Sequence, residues 1–99
     1  MVLSVVGELD LATAADLRAA VLDRADAGER RIAIDMTSVP FVDSSGLGAV
    51  VVCLKHMQEL GGELLVVAPE GSPTRKLFAL TGLEDAIGHV ATPADLPPT

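Results

Sequence analysis

Two serines and an aspartate stand where a strand-like segment gives way to a helix-like one. The segment reads Val42-Asp43-Ser44-Ser45-Gly46-Leu47-Gly48, after an apolar run over 32–36 and before a helical pattern over 45–60. The first amides of a helix lack intrahelical acceptors and lie at the positive end of its dipole. Such a position can hold a nucleophilic serine, a bound phosphate or a serine that receives a phosphoryl group.

The residues that catalysis would require around these serines are missing. An esterase elbow, G-x-S-x-G, needs a glycine two residues before the serine, where this chain has Val42 or Asp43. His56 lies in the middle of the predicted helix and His89 near the last predicted strand, so neither is placed as a general base. The lysine of a phosphate-binding loop is also missing after the two glycines. We therefore predict no catalytic residue.

Metal and cofactor sites find no support in the sequence either. A receiver domain phosphorylated on aspartate would need an acid cluster, but Asp35 and Asp43 have no adjacent acid pair near the first strand to complete it. One cysteine and two distant histidines do not form a coordination shell. We predict a protein with no metal and no cofactor.

The residues alone leave two interpretations of the serine segment open. In the first, Asp43 and Ser44 cap a core helix, while Gly46 and Gly48 permit close packing. In the second, Ser45 accepts a phosphoryl group, whose charge of about −1.5 to −2 changes what this surface binds. The glycines then allow a partner to come close to the serine.

Composition limits the class of protein. The chain has 99 residues, is 49% apolar, and has 7 basic against 14 acidic residues, a net charge of −7. This charge argues against binding nucleic acid or an anionic membrane surface. The longest apolar run, 49–54, is much shorter than the ~20 residues of a membrane helix, and no signal peptide is visible. With a single thiol, at Cys53, the sequence predicts a cytoplasmic protein.

The hydrophobic pattern predicts alternating strands and helices. Strands are expected at 2–6, 32–36, 64–67 and 87–90, and helices from the Asp10–Thr13 region to Gly28, over 45–60, and from Pro73, after the cap residue Ser72, to Gly82. The continuously apolar segment 64–67 is typical of a strand that is covered on both faces. Helical spacing predicts an inward face on each of the first two helices: Leu17, Val21 and Ala25 on the first, and Leu47, Val50, Leu54, Met57 and Leu60 on the second. The order β-α-β-α-β-α-β indicates an α/β layer fold with at least partly parallel strands. We predict a single domain over 1–91 and a proline-rich irregular tail over 92–99.

Three segments resemble a known family. Asp43-Ser44-Ser45-Gly46-Leu47-Gly48, preceded by Phe41-Val42, resembles the signature of STAS domains and, within them, of bacterial anti-sigma-factor antagonists. Gly7-Glu8-Leu9-Asp10 is similar to the family's G-E-L-D segment, and Phe78 followed by Gly82-Leu83 to its F-x-x-x-G-L pattern. The resemblance covers residues 2–90 and implies a STAS-like fold, a small mixed β-sheet with helices packed on it.

The resemblance also implies a role, which is that of a binding protein and not of an enzyme. Family members bind an anti-sigma factor that is a serine kinase and so free a sigma factor. The kinase phosphorylates the second serine of the motif, here Ser45, and a metal-dependent serine phosphatase restores the complex. The resemblance implies further residues on the binding surface: Glu8, Asp10, Asp43, Ser44, Gly46, Leu47 and Gly48.

The chain departs from the family pattern near both ends. Only six residues precede Gly7, where family members usually have another strand, so the first family strand is expected to be missing. Pro93, Pro97 and Pro98 disfavour the family's final helix. An alternative function is that of a STAS subunit of a transporter or sensory complex, although such domains often lack the acceptor serine that is present here.

Overall fold

Strands and helices alternate along the chain as predicted, with boundaries that differ by one or two residues. The computed structural model describes residues 1–97; Pro98 and Thr99, the end of the predicted tail, lie outside the described residues. The elements are β1 (Val2–Val6), α1 (Leu11–Asp26), β2 (Arg31–Ser38), α2 (Ser44–Glu59), β3 (Glu63–Val67), α3 (Pro73–Thr81), β4 (Gly88–Val90) and a 3₁₀ turn (Pro93–Asp95).

The four strands form one sheet in the order β1-β2-β3-β4, and every neighbouring pair is parallel. The predicted α/β class is confirmed. The sheet was predicted to be mixed, but over residues 1–97 all of its strand pairs are parallel. Each connection between consecutive strands contains a helix, and a helical crossover returns the chain in its original direction. None of the connections within residues 1–97 is a hairpin that would reverse a strand.

The main core lies between the three helices and one face of the sheet. Ile34 and Val66 on the strands pack with Val21 of α1, Cys53 of α2 and Phe78 of α3, and all five side chains are fully buried or nearly so. The helical spacing of Leu17, Val21 and Ala25 predicted this buried face of α1, and all three residues are buried. Helices and strands thus share a single core, which fixes the relative positions of their ends.

The second face of the sheet is covered in part by the end of the described chain. Ala33 and Leu65 are buried on this face, and with Leu96 and Pro97 of the tail they line a small cavity of about 70 Å³. The continuously apolar segment 64–67 predicted a strand covered on both faces, and all four of its residues are buried.

The inward face of α2 differs slightly from the prediction. Of the predicted stripe, Val50 and Met57 are buried, whereas Leu47, Leu54 and Leu60 are half-buried and pack at the edge of the core. The small residues Ala49 and Cys53 are buried as well. The helix therefore presents its small residues to a close neighbour.

Candidate functional site

The two segments that suggested a site lie side by side beyond the end of the sheet. Leu9 and Val42 form an isolated parallel bridge. The Leu9 amide donates to the Phe41 carbonyl oxygen at 2.9 Å, and the Asp43 amide donates to the Leu9 carbonyl oxygen at 3.2 Å. The loops after β1 and β2 are thus joined just before each enters its helix. Glu8, exposed, and Asp10, half-buried, consequently lie on the same side of the molecule as the serines.

Both aspartates cap the helices that follow them. The Asp10 carboxylate accepts hydrogen bonds from the amides of Ala12 and Thr13 at 3.1 and 3.2 Å, and the Thr13 hydroxyl lies 3.1 Å from the same oxygen. The hydrogen bonds from Thr13 lower the pKa of Asp10 below its ordinary value. Asp43 accepts from the Gly46 amide at 2.9 Å. Each carboxylate is therefore already engaged in fixing where a helix begins.

Gly46 and Gly48 have different surroundings, although the sequence treats them alike. Gly46 is buried, and a Cβ on it would lie 2.7 Å from the Leu9 carbonyl oxygen and 2.8 Å from Leu9 Cγ. Gly48 is exposed, and a Cβ there would meet open space. Close packing thus accounts for Gly46, whereas Gly48 leaves the surface beside the serines open.

The serines occupy the first turn of α2. Ser44 is exposed and Ser45 is half-buried. Within residues 1–97, neither their side-chain hydroxyls nor their backbone amides form a hydrogen bond. The Ser45 hydroxyl is therefore not committed to the fold. The two amides are donors of the kind that can bind an anion at the start of a helix.

Ser45 lies in an open groove between α1 and α2, with a volume of about 330 Å³. The lining residues are Leu11, Ala14, Ala15, Arg18, Ser45, Gly48, Ala49 and Val52. Leu11 is 75% exposed and Val52 is 41% exposed, so apolar surface on both helices faces solvent next to the serine. A shallow apolar groove of this kind suits a protein partner better than a small polar ligand.

Sequence reasoning missed Leu11, Arg18 and Val52. A signal was present, because Leu11, Ala15 and Arg18 are spaced at i, i+4 and i+7 on one face of α1. Ser45, Ala49 and Val52 have the same spacing on α2. The pattern does not say that the two faces lie next to each other, and that juxtaposition creates the groove. Leu47, which was predicted as a contact residue, packs half-buried against the core.

The histidines are engaged elsewhere. His56 Nε2 lies 3.0 Å from Asp26 Oδ1, joining the far ends of α1 and α2. His56 is eleven residues after Ser45 on the same helix, which corresponds to about 16 Å along the axis. His89 Nδ1 lies 3.0 Å from the Ile87 carbonyl oxygen.

The single cysteine is buried in the core. Burial raises the pKa of the Cys53 thiol to about 11, and the charge of Arg18 partly offsets this increase.

Two further features bear on the kind of site. Residues 1–97 contain no group of three or more His, Cys, Asp or Glu side chains arranged to hold a metal ion. In the same part of the chain, every helix is too short or too polar to cross a membrane.

Comparison with known proteins agrees with this geometry. The STAS domain family model matches residues 1–95. An anti-sigma-B factor antagonist of Staphylococcus aureus is 34% identical over 84 residues, which cover 85% of this chain and 76% of that protein. The crystal structure of an anti-sigma factor antagonist from Mycobacterium paratuberculosis superposes with a TM-score of 0.83 at 31% identity, covering 95% of this chain and 79% of that one.

Two other solved structures share the fold. The Bacillus cell fate determinant SpoIIAA in its phosphorylated form has a TM-score of 0.66 at 26% identity, covering 91% of this chain and 81% of that one. A sulfate transporter family protein from Wolinella succinogenes has a TM-score of 0.75 at 21% identity, covering 88% of this chain and 70% of that one, a likeness of fold alone. The match over residues 1–95 and the relative at 34% identity confirm the resemblance seen in the motifs: this chain belongs to the STAS domain family.

Proposed function

We propose that this chain is an anti-sigma-factor antagonist in the cytoplasm, a binding protein that is switched by phosphorylation and is not itself an enzyme. It binds an anti-sigma factor that is also a serine kinase, and so releases a sigma factor. The observation that carries this proposal is the half-buried Ser45, whose hydroxyl is unpaired within residues 1–97 and lies in an exposed apolar groove at the start of α2. The names of relatives such as the Staphylococcus aureus antagonist support it.

The groove supplies a surface on which such a partner can dock. Leu11 and Val52 form apolar walls, and Gly48 leaves the space next to Ser45 free of side-chain atoms. Phe41, 51% exposed, is a further apolar side chain available to a partner, on the loop that precedes Asp43. Burying these side chains under a partner stabilises a complex, and aromatic residues contribute strongly to such contacts.

Phosphorylation of Ser45 breaks the contact. The kinase transfers the γ-phosphoryl group of ATP to Ser45 Oγ: the new O–P bond forms, the bond to ADP breaks, and the hydroxyl proton leaves with a base of the kinase. The phosphate adds about −1.5 to −2 charges to a protein that already has a net charge of −7. A charge trapped without a partner in an apolar contact costs several kcal/mol, roughly a hundredfold or greater loss of affinity. A metal-dependent serine phosphatase restores the complex by hydrolysis.

The direct test combines phosphate mapping with binding. The protein is incubated with a candidate anti-sigma kinase and ATP, and mass spectrometry locates the phosphate, which is expected on Ser45. We expect Ser45→Ala to bind the kinase and Ser45→Asp to bind at least about tenfold more weakly. Ser44→Ala is the matched control and should still be phosphorylated. Phosphate on Ser44 instead, or equal binding by Ser45→Asp and the unmodified protein, would contradict the proposal.

The alternative role, a STAS subunit of a transporter or sensory complex, has support at the level of fold from the Wolinella succinogenes structure. Stable co-purification with membrane transporter subunits, together with absence of phosphate transfer to Ser45, would favour it.

A further inference from the structure

We propose that Arg18 binds the phosphate of phosphorylated Ser45 in cis, across the groove between α1 and α2. This inference rests on the proposed phosphorylation of Ser45. In this proposal, the guanidinium of Arg18 holds the phosphate of the modified serine within the same protein chain.

The arrangement of the helices brings the two residues into one groove. The segments entering α1 and α2 are joined by the Leu9–Val42 bridge, and the far ends by the contact between Asp26 and His56. The helices therefore run side by side in the same direction. The Leu9–Val42 bridge holds the start of α1 beside the start of α2, where Ser45 lies, and Arg18 lies seven residues after Leu11, about 10 Å further along α1. Long helical side chains lean toward the helix N-terminus, and both Arg18 and Ser45 line the groove.

Arg18 is chemically suited to this role, and its side chain is exposed. Its guanidinium forms no hydrogen bond or ion pair with any of residues 1–97, whereas Arg30 and Arg75 donate to backbone carbonyls. The other residues that line the groove are apolar or small, apart from Ser45 itself. A guanidinium can donate two parallel hydrogen bonds to phosphate oxygens, which a point charge cannot do.

The carboxylates near the modified serine make a nearby positive charge favourable. Glu8, Asp10 and Asp43 lie in the joined loops before the two helices. A phosphate at Ser45 is repelled by these carboxylates and attracted by the open amides of Ser44 and Ser45 and by Arg18.

The contact has a consequence for the groove itself. An arginine drawn across to the phosphate covers the space between Leu11 and Val52, the walls proposed for partner docking. Phosphorylation then covers the docking surface with the Arg18 side chain in addition to placing negative charge on it. Arg18 is also withdrawn from any acidic side chain that a partner presents.

The test introduces phosphoserine at position 45 during translation, so that no kinase is needed. The second pKa of the phosphate is measured by ³¹P NMR titration in the full chain, in Arg18→Gln, in Arg18→Lys and in Arg24→Gln. Arg24 is an exposed residue in the last turn of the same helix and controls for the loss of one positive charge. We expect Arg18→Gln to raise this pKa by roughly 0.5, Arg18→Lys to restore part of the difference, and Arg24→Gln to leave it unchanged.

Two results would overturn the inference: the same phosphate pKa in the unsubstituted chain and in Arg18→Gln, or equal changes in Arg18→Gln and Arg24→Gln. Both arginines are exposed, so the variants should fold, and a thermal melt of each unphosphorylated protein verifies this. Failure here is distinguishable from failure of the proposed function, because the kinase assay on Ser45 does not depend on Arg18, and the titration does not depend on a kinase.

Discussion

At the scale of single residues, the two adjacent serines at the start of α2 have different environments. Ser44 faces solvent, whereas Ser45 is half-buried at one end of the groove. Neighbouring helical positions point about 100° apart, so only one of the two can face α1. The carboxylate of Asp43, the residue just before the two serines, already accepts a hydrogen bond from the Gly46 amide. Its role in the site is therefore to fix the start of the helix under Ser45.

Cys53 allows a prediction about a single buried group. Because burial raises the pKa of its thiol to about 11, the folded protein holds this proton more tightly than the unfolded chain does. Stability should be unaffected by this group below about pH 8 and should decrease as the pH rises toward 11, by about 1 kcal/mol at pH 10. Urea unfolding at pH 8 and pH 10 measures the loss.

The control for this prediction is Cys53→Ala, whose stability should fall less between pH 8 and pH 10. The chain has no tyrosine, so few other groups titrate in this range. A thiol reagent at pH 8 should modify native Cys53 slowly and the urea-unfolded chain rapidly. Rapid modification of the native protein would show that Cys53 is not buried.

At the scale of the elements, α2 can approach the loop before α1 only because residue 46 has no side chain. A Cβ at Gly46 would overlap the backbone of Leu9, which cannot move without breaking the bridge to Val42. Gly48, two residues further on, has open space around it. One glycine thus supports the packing of the site, and the other leaves its surface accessible.

The two glycines predict opposite effects of the same substitution. Gly46→Ala should destabilise the protein by about 1–3 kcal/mol, because it overpacks a contact with backbone. Gly48→Ala should stabilise α2 by up to about 1 kcal/mol, because alanine favours a helix. Chemical denaturation of both variants measures the difference. Similar stabilities for the two variants would be incompatible with the close approach of Leu9 to Gly46.

At the scale of the whole molecule, the sheet has helices on one face and the end of the described chain on part of the other. Leu96 is half-buried and lines a cavity with Val2, Ala33 and Leu65. The tail therefore contributes to the fold although it contains only one 3₁₀ turn, Pro93–Asp95. β1 forms an edge of the sheet in the part of the chain that is described.

A pair of leucines tests the contribution of the tail. Leu96→Ala should lower stability by about 1 kcal/mol, which corresponds to a decrease in Tm of roughly 4–8 °C, because it removes apolar contact with the sheet. Leu80→Ala, at a position 84% exposed on α3, is the control and should change stability by less than about 0.5 kcal/mol. Thermal melts compare them. Equal melting temperatures for Leu96→Ala and the unsubstituted chain would mean that the tail does not stabilise the sheet.

Much of this fold could be predicted from local pattern. The spacing of Leu17, Val21 and Ala25 predicted the buried face of α1, and the unbroken apolar segment 64–67 predicted a strand buried on both faces. Ser72 and Gly82 marked the two ends of α3, which begins after the serine and ends at the glycine. These features could be predicted because they depend on residues that are close together in the chain. The motif around Ser45 likewise identified the family without any knowledge of packing.

The sequence by itself determined the order of elements, the family and the choice of Ser45 as the proposed acceptor. Each of these can be predicted from short segments of neighbouring residues. Only the tertiary structure decided that every strand is parallel, that Gly46 packs against Leu9 while Gly48 is open, and that Leu11 and Arg18 face Val52 across a groove. The physical reason is that these contacts join residues 23 to 41 positions apart. Their proximity depends on how both helices pack on the sheet, which local propensity does not encode.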